Sequence, residues 1–238
     1  VSGALVGVGV GPGDPEHLTL KAIRELQGAD RVFVPQTGAA GRAERIVAAH
    51  VPAQRIERLT FAMGDEAARA GNWDRAGAAI GAVVAPGGTA AFATIGDPSL
   101  YSTFTYVVHT VRGLHPDVEV RTVPGITAMQ DLAARTGTVL AEGAEPVVLM
   151  PFTAGEDALR EALARGGTVV VYKGGRHLPR VLDAVRDAGR LGDAVYGEQL
   201  GLADEAVTPA AARSAGPGPY MSTVIVPAAR RGERGEKL

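Results

Sequence analysis

Three short stretches carry residue types from which a ligand site can be built: Gly7–Asp14 (GVGVGPGD), Ile95–Tyr101 (IGDPSLY) and Val123–Ala128 (VPGITA). Each follows an apolar run and precedes a helical pattern. Each is therefore a loop at the C-terminal end of a strand, where open α/β sheets bind ligands. The first loop is a poor phosphate cradle. A P-loop needs a Lys followed by Ser or Thr, yet Asp14 follows Gly13. A dinucleotide fingerprint started at Gly7 or Gly9 meets Pro12 or Asp14 where its last glycine belongs. Asp14 and Glu16 also put negative charge where a phosphate would sit. What remains is geometry: Gly9, Gly11 and Gly13 offer bare backbone, and Pro12 and Pro15 stiffen it. A flat, bulky ligand can lie against such a wall; the plain alternative is a tight strand-to-helix turn with no ligand.

Other residues with chemical capacity are few. Asp97 can place a carboxylate near a cation, or it can make an Asx-type cap on a helix predicted to start near Tyr101. Lys173, Arg176 and His177 cluster after a strand end and suit an anionic ligand, with Arg42 and Arg45 next. Taken singly, each reads more readily as a solvated surface charge. His17 and His109 read as ordinary surface or helix residues, and Trp73 as a packing residue. The order of Ser, His and Asp suggests no triad, and neither His-Glu-x-x-His nor metal-ligand spacing occurs. The sequence has no cysteine, which removes disulfides, thiolate metal sites and a cysteine nucleophile.

The elements that must position these loops are short and alternate. Strands are predicted over Ala4–Val10, Arg31–Val34, Arg55–Thr60, Thr89–Thr94 and Val118–Val123. Between them lie helices over Leu20–Leu26, Gly41–His50, Asn72–Val84 and Tyr101–Leu114. Thr19 is a plausible N-cap for the first, whose Leu20, Ile23 and Leu26 are read as one face; Asn72 is read as the cap of the third. The pattern then resets. Helices are predicted over Thr127–Arg135, Glu156–Ala164 and Leu178–Ala188, and extended segments over Pro146–Met150, Thr168–Tyr172, Ala194–Gly197 and Ser222–Val226. The charged tail Arg230–Leu238 is expected to fray. This is an α/β chain, with a domain boundary expected near Pro124-Gly125 that separates residues 1–124 from 125–238.

Composition sets the limits. With 24 Lys and Arg against 26 Asp and Glu, the net charge of −2 leaves no basic excess for bulk nucleic-acid binding. No apolar run reaches transmembrane length, and no signal-peptide layout opens the sequence, so a cytoplasmic protein is expected.

The trio GVGPGDP, GDPxxY and VPGITA, in that order, resembles the tetrapyrrole methylases, which use S-adenosylmethionine to methylate porphyrin- and corrin-type rings. The resemblance runs from about Leu5 to Val226. Segments 96–104 (GDPSLYSTF), 140–145 (LAEGAE), 169–182 (VVVYKGGRHLPRVL) and 219–226 (PYMSTVIV) look like those family members that methylate the C20 meso carbon of precorrin-2. Residues 59–76 resemble the same group, with Ala62 in place of a proline. Residues 195–207 depart from its Arg-Ala-Gly pattern, having Gln199-Leu200-Gly201 instead.

The resemblance implies two α/β domains with a ligand cleft between them, usually in a homodimer. It implies methyl-donor contacts from Pro12; from Ile95, Gly96, Asp97 and Leu100; from Thr127 and Ala128; from Tyr172 or Lys173; and from Leu200 or Gly201. The substrate implied is a polycarboxylate ring, held near Gly11, Gly13, Asp14, Lys173, Arg176 and His177. Asp97 and Tyr101 are the candidate catalytic residues, with Glu142 as another group able to assist proton loss. A metal-free ring is favoured over its cobalt form. Rival expectations are methylation of another ring carbon or of uroporphyrinogen, the related methylase of diphthamide synthesis, a cofactor-sensing module without catalysis, and a phosphate-binding nucleotide enzyme.

Overall fold

The computed structural model describes residues 3–36, 41–61, 66–214 and 216–229, with 66–70 as backbone only. The chain divides into two compact units, Val1–Thr127 and Ala128–Leu238.

The first unit is built on a parallel sheet of β1 (Ala4–Gly9), β2 (Arg31–Gln36), β3 (Ile56–Thr60), β4 (Thr89–Thr94) and β5 (Glu119–Val123), in the order β3-β2-β4-β1-β5. Helices cover both of its faces, so its central strands are buried on both sides and read as continuous apolar runs. Side chains alternate accordingly. Val6, Val8, Val32, Val34, Ala91 and Ala93 pack against α1 (Leu20–Gly28) and α2 (Arg42–Ala48). Leu5, Phe33, Ala90 and Phe92 face the other way, against α3 (Glu66–Val84) and α4 (Phe104–Leu114). Gly7 belongs to this second face. A Cβ there would lie 2.4 Å from the Phe104 ring, so the missing side chain makes room for that ring.

The second unit is a mixed sheet of β6 (Val147–Pro151), β7 (Thr168–Tyr172), β8 (Val195–Glu198), β9 (Ala206–Pro209) and β10 (Ser222–Val226), in the order β6-β7-β10-β8-β9. Only the β6–β7 pair is parallel; β10 runs antiparallel to β7 and β8, and β9 to β8. The alternation repeats. Val169, Val171, Tyr196, Val224 and Val226 pack toward α6 (Glu156–Ala164) and α7 (Leu178–Asp187). Val170 and Ile225 pack toward α5 (Ala128–Thr136) through Leu132 and Ala133.

Several sequence expectations are corrected. Asn72 does not cap α3: the helix begins at Glu66, and Asn72 is buried inside it, bonded to Arg75. The alanine-rich run 67–70 extends the helix past the point where the polar residue suggested a start. Thr19 does cap α1, accepting from the Ala22 N–H at 3.0 Å, yet Leu20 is 78% exposed. It lies six residues from Leu26, on a different face, and the buried positions are Ala22 and Leu26. Helix α4 begins at Phe104 rather than Tyr101, because Tyr101 has φ +52° and cannot enter a right-handed turn. Strand β9 was not expected; it is a four-residue edge element ending in Pro209, formed by pairing rather than by local pattern. The position of Ala62 and the tail 230–238 lie outside the described residues. Among the described residues, no helix is long and apolar enough to cross a membrane.

One side chain ties the second unit together. Arg190, half-buried just after α7, donates to the carbonyls of Leu163 (2.9 Å), Gly167 (2.6 Å) and Pro227 (2.9 Å). Burial holds its pKa below the usual arginine value. We expect Arg190→Met to strand these acceptors and to cost about 2–4 kcal/mol, read as a lower urea midpoint.

Candidate functional site

In the first unit, the three glycine-bearing loops meet at the C-terminal ends of β1, β4 and β5. They meet backbone on backbone. A Cβ on Gly9 would lie 2.6 Å from both the Gly125 nitrogen and the Gly96 oxygen, and a Cβ on Gly125 would lie 2.1 Å from that same oxygen. The Val10 N–H donates to the Thr94 carbonyl and the Gly96 N–H to the Gly11 carbonyl, each at 2.9 Å, which extends the β1–β4 pairing into the loops. Gly9 is therefore a loop-packing residue. Gly11, Pro12 and Gly13 are buried as well. Gly96 is the open one: the nearest atom to a Cβ there is the Thr127 Cα, 3.9 Å away. Bare backbone with room above it lies at Gly96, flanked by the half-buried apolar Ile95 and Leu100.

Asp97 joins two of these loops. Its Oδ1 accepts the Ser99 N–H at 2.8 Å and the Ser99 hydroxyl; its Oδ2 accepts the Gly125 N–H at 2.9 Å. The Asx turn that the Asp-Pro pairing favours is present, and the second oxygen adds a cross-loop tie that sequence spacing alone cannot show. Partial burial pushes the Asp97 carboxyl up, but the Ser99 hydroxyl and the Ser99 and Gly125 N–H groups outweigh it and hold it below its usual range. The N-cap of α4 is Thr103, which makes no side-chain capping bond; one residue before it, Ser102 Oγ accepts the Phe104 N–H at 3.0 Å and shares a hydrogen bond of 2.9 Å with Thr94 Oγ1. Desolvation raises the Tyr101 phenol above its ordinary value, so it is neutral near neutral pH.

The remaining first-unit candidates are locally engaged. Asp14 accepts the Glu16 N–H at 2.9 Å as the cap of a one-turn helix over Pro15–His17. Arg42, at the start of α2, reaches the Pro12 carbonyl at 3.4 Å, which puts a cation beside the glycine loop. Thr127 is buried at the end of the third loop.

In the second unit, the candidates gather where β7 and β8 end and β10 begins. Tyr172 closes β7, and its hydroxyl accepts the Met129 N–H at 3.3 Å, one residue past Ala128 at the start of α5. Lys173 follows with φ +56°, and Gln199, just past β8, has φ +55°. Leu200 is buried in the core beside Leu132 and Ile225, so its side chain serves packing. Arg176 and His177 are exposed; the His177 ring lies 5.6 Å from that of Phe152. Gly175 is pinned by residues 218–219, with the Gly218 N–H donating to its carbonyl at 2.7 Å. Among the described residues, the non-glycine positions with positive φ are Tyr101, Lys173 and Gln199, one in each of three candidate segments. Sequence spacing gave no sign of that; backbone strain of this kind clusters at ligand sites. No set of three His, Asp or Glu among the described residues is placed to hold a metal.

Comparison with known proteins comes down on one family. The family model Tetrapyrrole (Corrin/Porphyrin) Methylases matches residues 4–215. A Sinorhizobium protein named precorrin-2 C(20)-methyltransferase is 31% identical, covering 94% of this chain and 95% of its own. A Methanocaldococcus jannaschii protein named probable cobalt-precorrin-2 C(20)-methyltransferase is 36% identical over 70% of each chain. Among solved structures, the Corynebacterium diphtheriae protein described as a putative cobalamin synthesis related protein (CobF) superposes with a TM-score of 0.71. It covers 96% of this chain and 99% of its own, at 22% identity, and shares the fold.

Two expectations follow from the glycine corner. Gly125→Ala drives a Cβ into main chain and should destabilise the protein by about 3 kcal/mol, whereas Gly28→Ala, which points into open space, should change stability by under about 1 kcal/mol; urea unfolding separates the two. Because the folded Asp97 carboxyl sits below its unfolded value, its contribution is present above the unfolded pKa of about 4 and is lost as pH falls through the folded value. The stability gap between the native chain and Asp97→Asn should therefore be widest at neutral pH and close in acid.

Proposed function

Because the chain belongs to the tetrapyrrole (corrin/porphyrin) methylases, we propose that it moves a methyl group from S-adenosylmethionine to the C20 meso carbon of precorrin-2, giving precorrin-3A for cobalamin biosynthesis. The observation that carries this reading is the 31% identity, over 94% of this chain and 95% of the other, with the Sinorhizobium precorrin-2 C(20)-methyltransferase. The motif order at the glycine corner agrees with it.

The residues suit the methyl donor. Gly96 leaves space over its backbone, Ile95 and Leu100 supply apolar walls, and the Asp97 carboxylate stays charged near a site meant for a sulfonium. In the second unit, Tyr172, Lys173, Leu200 and Gly201 would add main-chain contacts, as would Thr127 and Ala128 at the end of the third loop. Held by the Gly96 main chain, Ile95 and Leu100, S-adenosylmethionine would supply an electrophilic methyl carbon, the carbon–sulfur bond being exchanged for a bond to the ring carbon with release of S-adenosylhomocysteine and of that carbon's proton. The leaving thioether is neutral, and the ring's own conjugation activates the nucleophile. Positioning can then supply most of the rate.

Asp97 fits a positioning role better than a basic one. Both of its oxygens accept hydrogen bonds, and its carboxyl is held in the weakly basic range. Tyr101, neutral through desolvation, is suited to donate a hydrogen bond. The ring carboxylates call for cations: Lys173, Arg176 and His177 in the second unit, and Arg42 beside Pro12 in the first. A homodimer in the cytoplasm is the expected setting. The similarity to the methanogen protein supports a second reading, in which the ring already carries cobalt.

Incubation with labelled S-adenosylmethionine and precorrin-2, with and without inserted cobalt, tests this. One methyl should be gained at C20, and the preferred ring decides between the two readings. Donor binding with transfer to neither ring would overturn the substrate assignment. Arg42→Ala should raise KM for the ring about 10-fold and leave donor affinity unchanged.

A further inference from the structure

We propose that Glu205 is a positioning residue for the methyl-donor site, holding the Gln199–Gly201 turn in its left-handed form. The inference rests on the methyltransferase reading above and names a residue outside the motifs that support it.

The turn is awkward by itself. Gln199 has φ +55° and Gly201 φ +74°, two left-handed positions with only Leu200 between them. Its ends are tied: the Gln199 N–H donates to the Met221 carbonyl at 3.1 Å, and the Leu200 side chain is 3% exposed in the core. The central constraint comes from one carboxylate. Glu205 Oε2 accepts the Gly201 N–H at 2.6 Å, while Oε1 accepts from Arg135 at 2.8 Å.

Arg135 in turn donates through Nε to Asp131 Oδ1 at 2.7 Å. Both are on α5, the helix that starts at Ala128, itself an expected donor contact. Arg135 and Glu205 keep under a third of their side-chain surface exposed, and Asp131 only 3%. This places the trio between an exposed surface pair, which contributes little, and a fully buried one. Two main-chain segments expected to touch the donor, Ala128 on α5 and Gly201, are thus linked through Arg135 and Glu205, with Asp131 bracing Arg135, none of which need touch it. A second tie, Gln199 Nε2 to Asp204 Oδ2 at 3.0 Å, supports the same turn from the same loop.

The test is S-adenosylmethionine binding by calorimetry, with steady-state kinetics beside it. Glu205→Ala should raise Kd and KM for the donor by about 10-fold with kcat changed under about 3-fold. Glu205→Gln keeps an oxygen for the Gly201 N–H and should return Kd to within about 3-fold of native. Arg135→Met, which removes the brace but leaves the Gly201 bond, should fall between them, and it decides the matter with Glu205→Gln should the alanine variant not fold. Variants that lower the melting temperature while the folded protein binds the donor with native Kd would assign Glu205 a purely structural role and overturn the proposal. A native chain that binds no S-adenosylmethionine would instead overturn the methyltransferase reading itself, and that outcome needs no variant.

Discussion

Main chain can press against main chain only where no Cβ stands between, and the corner where β1, β4 and β5 of the first unit end depends on that exclusion. Gly9 and Gly125 approach so closely that either Cβ would overlap the other's backbone or the Gly96 oxygen. The contact brings the ends of β1, β4 and β5 to a common level. Asp97 then locks it, spending both carboxylate oxygens on the second and third loops. Only after this closure does Gly96 have open space above it, between Ile95 and Leu100. Gly9 of the first loop thus serves the packing of the corner.

The second unit solves a comparable problem by different means. Its loops carry side chains where the first unit has glycine, and they hold left-handed backbone at Lys173 and Gln199 against a cost of about 1–3 kcal/mol each. Such conformations persist because the surroundings over-determine them. The Met221 carbonyl fixes Gln199, and residues 218–219 crowd the loop after Lys173 at Gly175. Tyr172 completes the arrangement by accepting from the first turn of α5. The same antiparallel neighbour, β10, feeds both loops, since its first residues lie beside the ends of β7 and β8.

Much of this was legible in the residues. The apolar runs of β1, β4 and β7 sit where their patterns place them, because strands buried on both faces leave little ambiguity. The three motif loops could be located from glycine and proline punctuation alone. What could not be read was contact at a distance. Nothing near Asp97 in sequence announces its bond to Gly125, and the Asp-Pro signal pointed equally to a local cap. Asn72 misled for the opposite reason: a good capping residue is buried inside a helix whose alanine-rich start outweighs it. Glu205 lay in a segment that departs from the family pattern, so its role emerges only from the bond to Gly201.

The Gly9–Gly125 contact has a consequence for how this protein can change. When a larger side chain damages an ordinary core, a smaller one opposite can relieve it, and the pair drifts together over generations. Here the opposite residue is already the smallest there is. Neither position has a compensating partner among the twenty amino acids, so the corner admits no stepwise detour. Change in this part of the first unit must pass through surrounding positions such as Ile95 or Leu100 and leave the glycines as they stand.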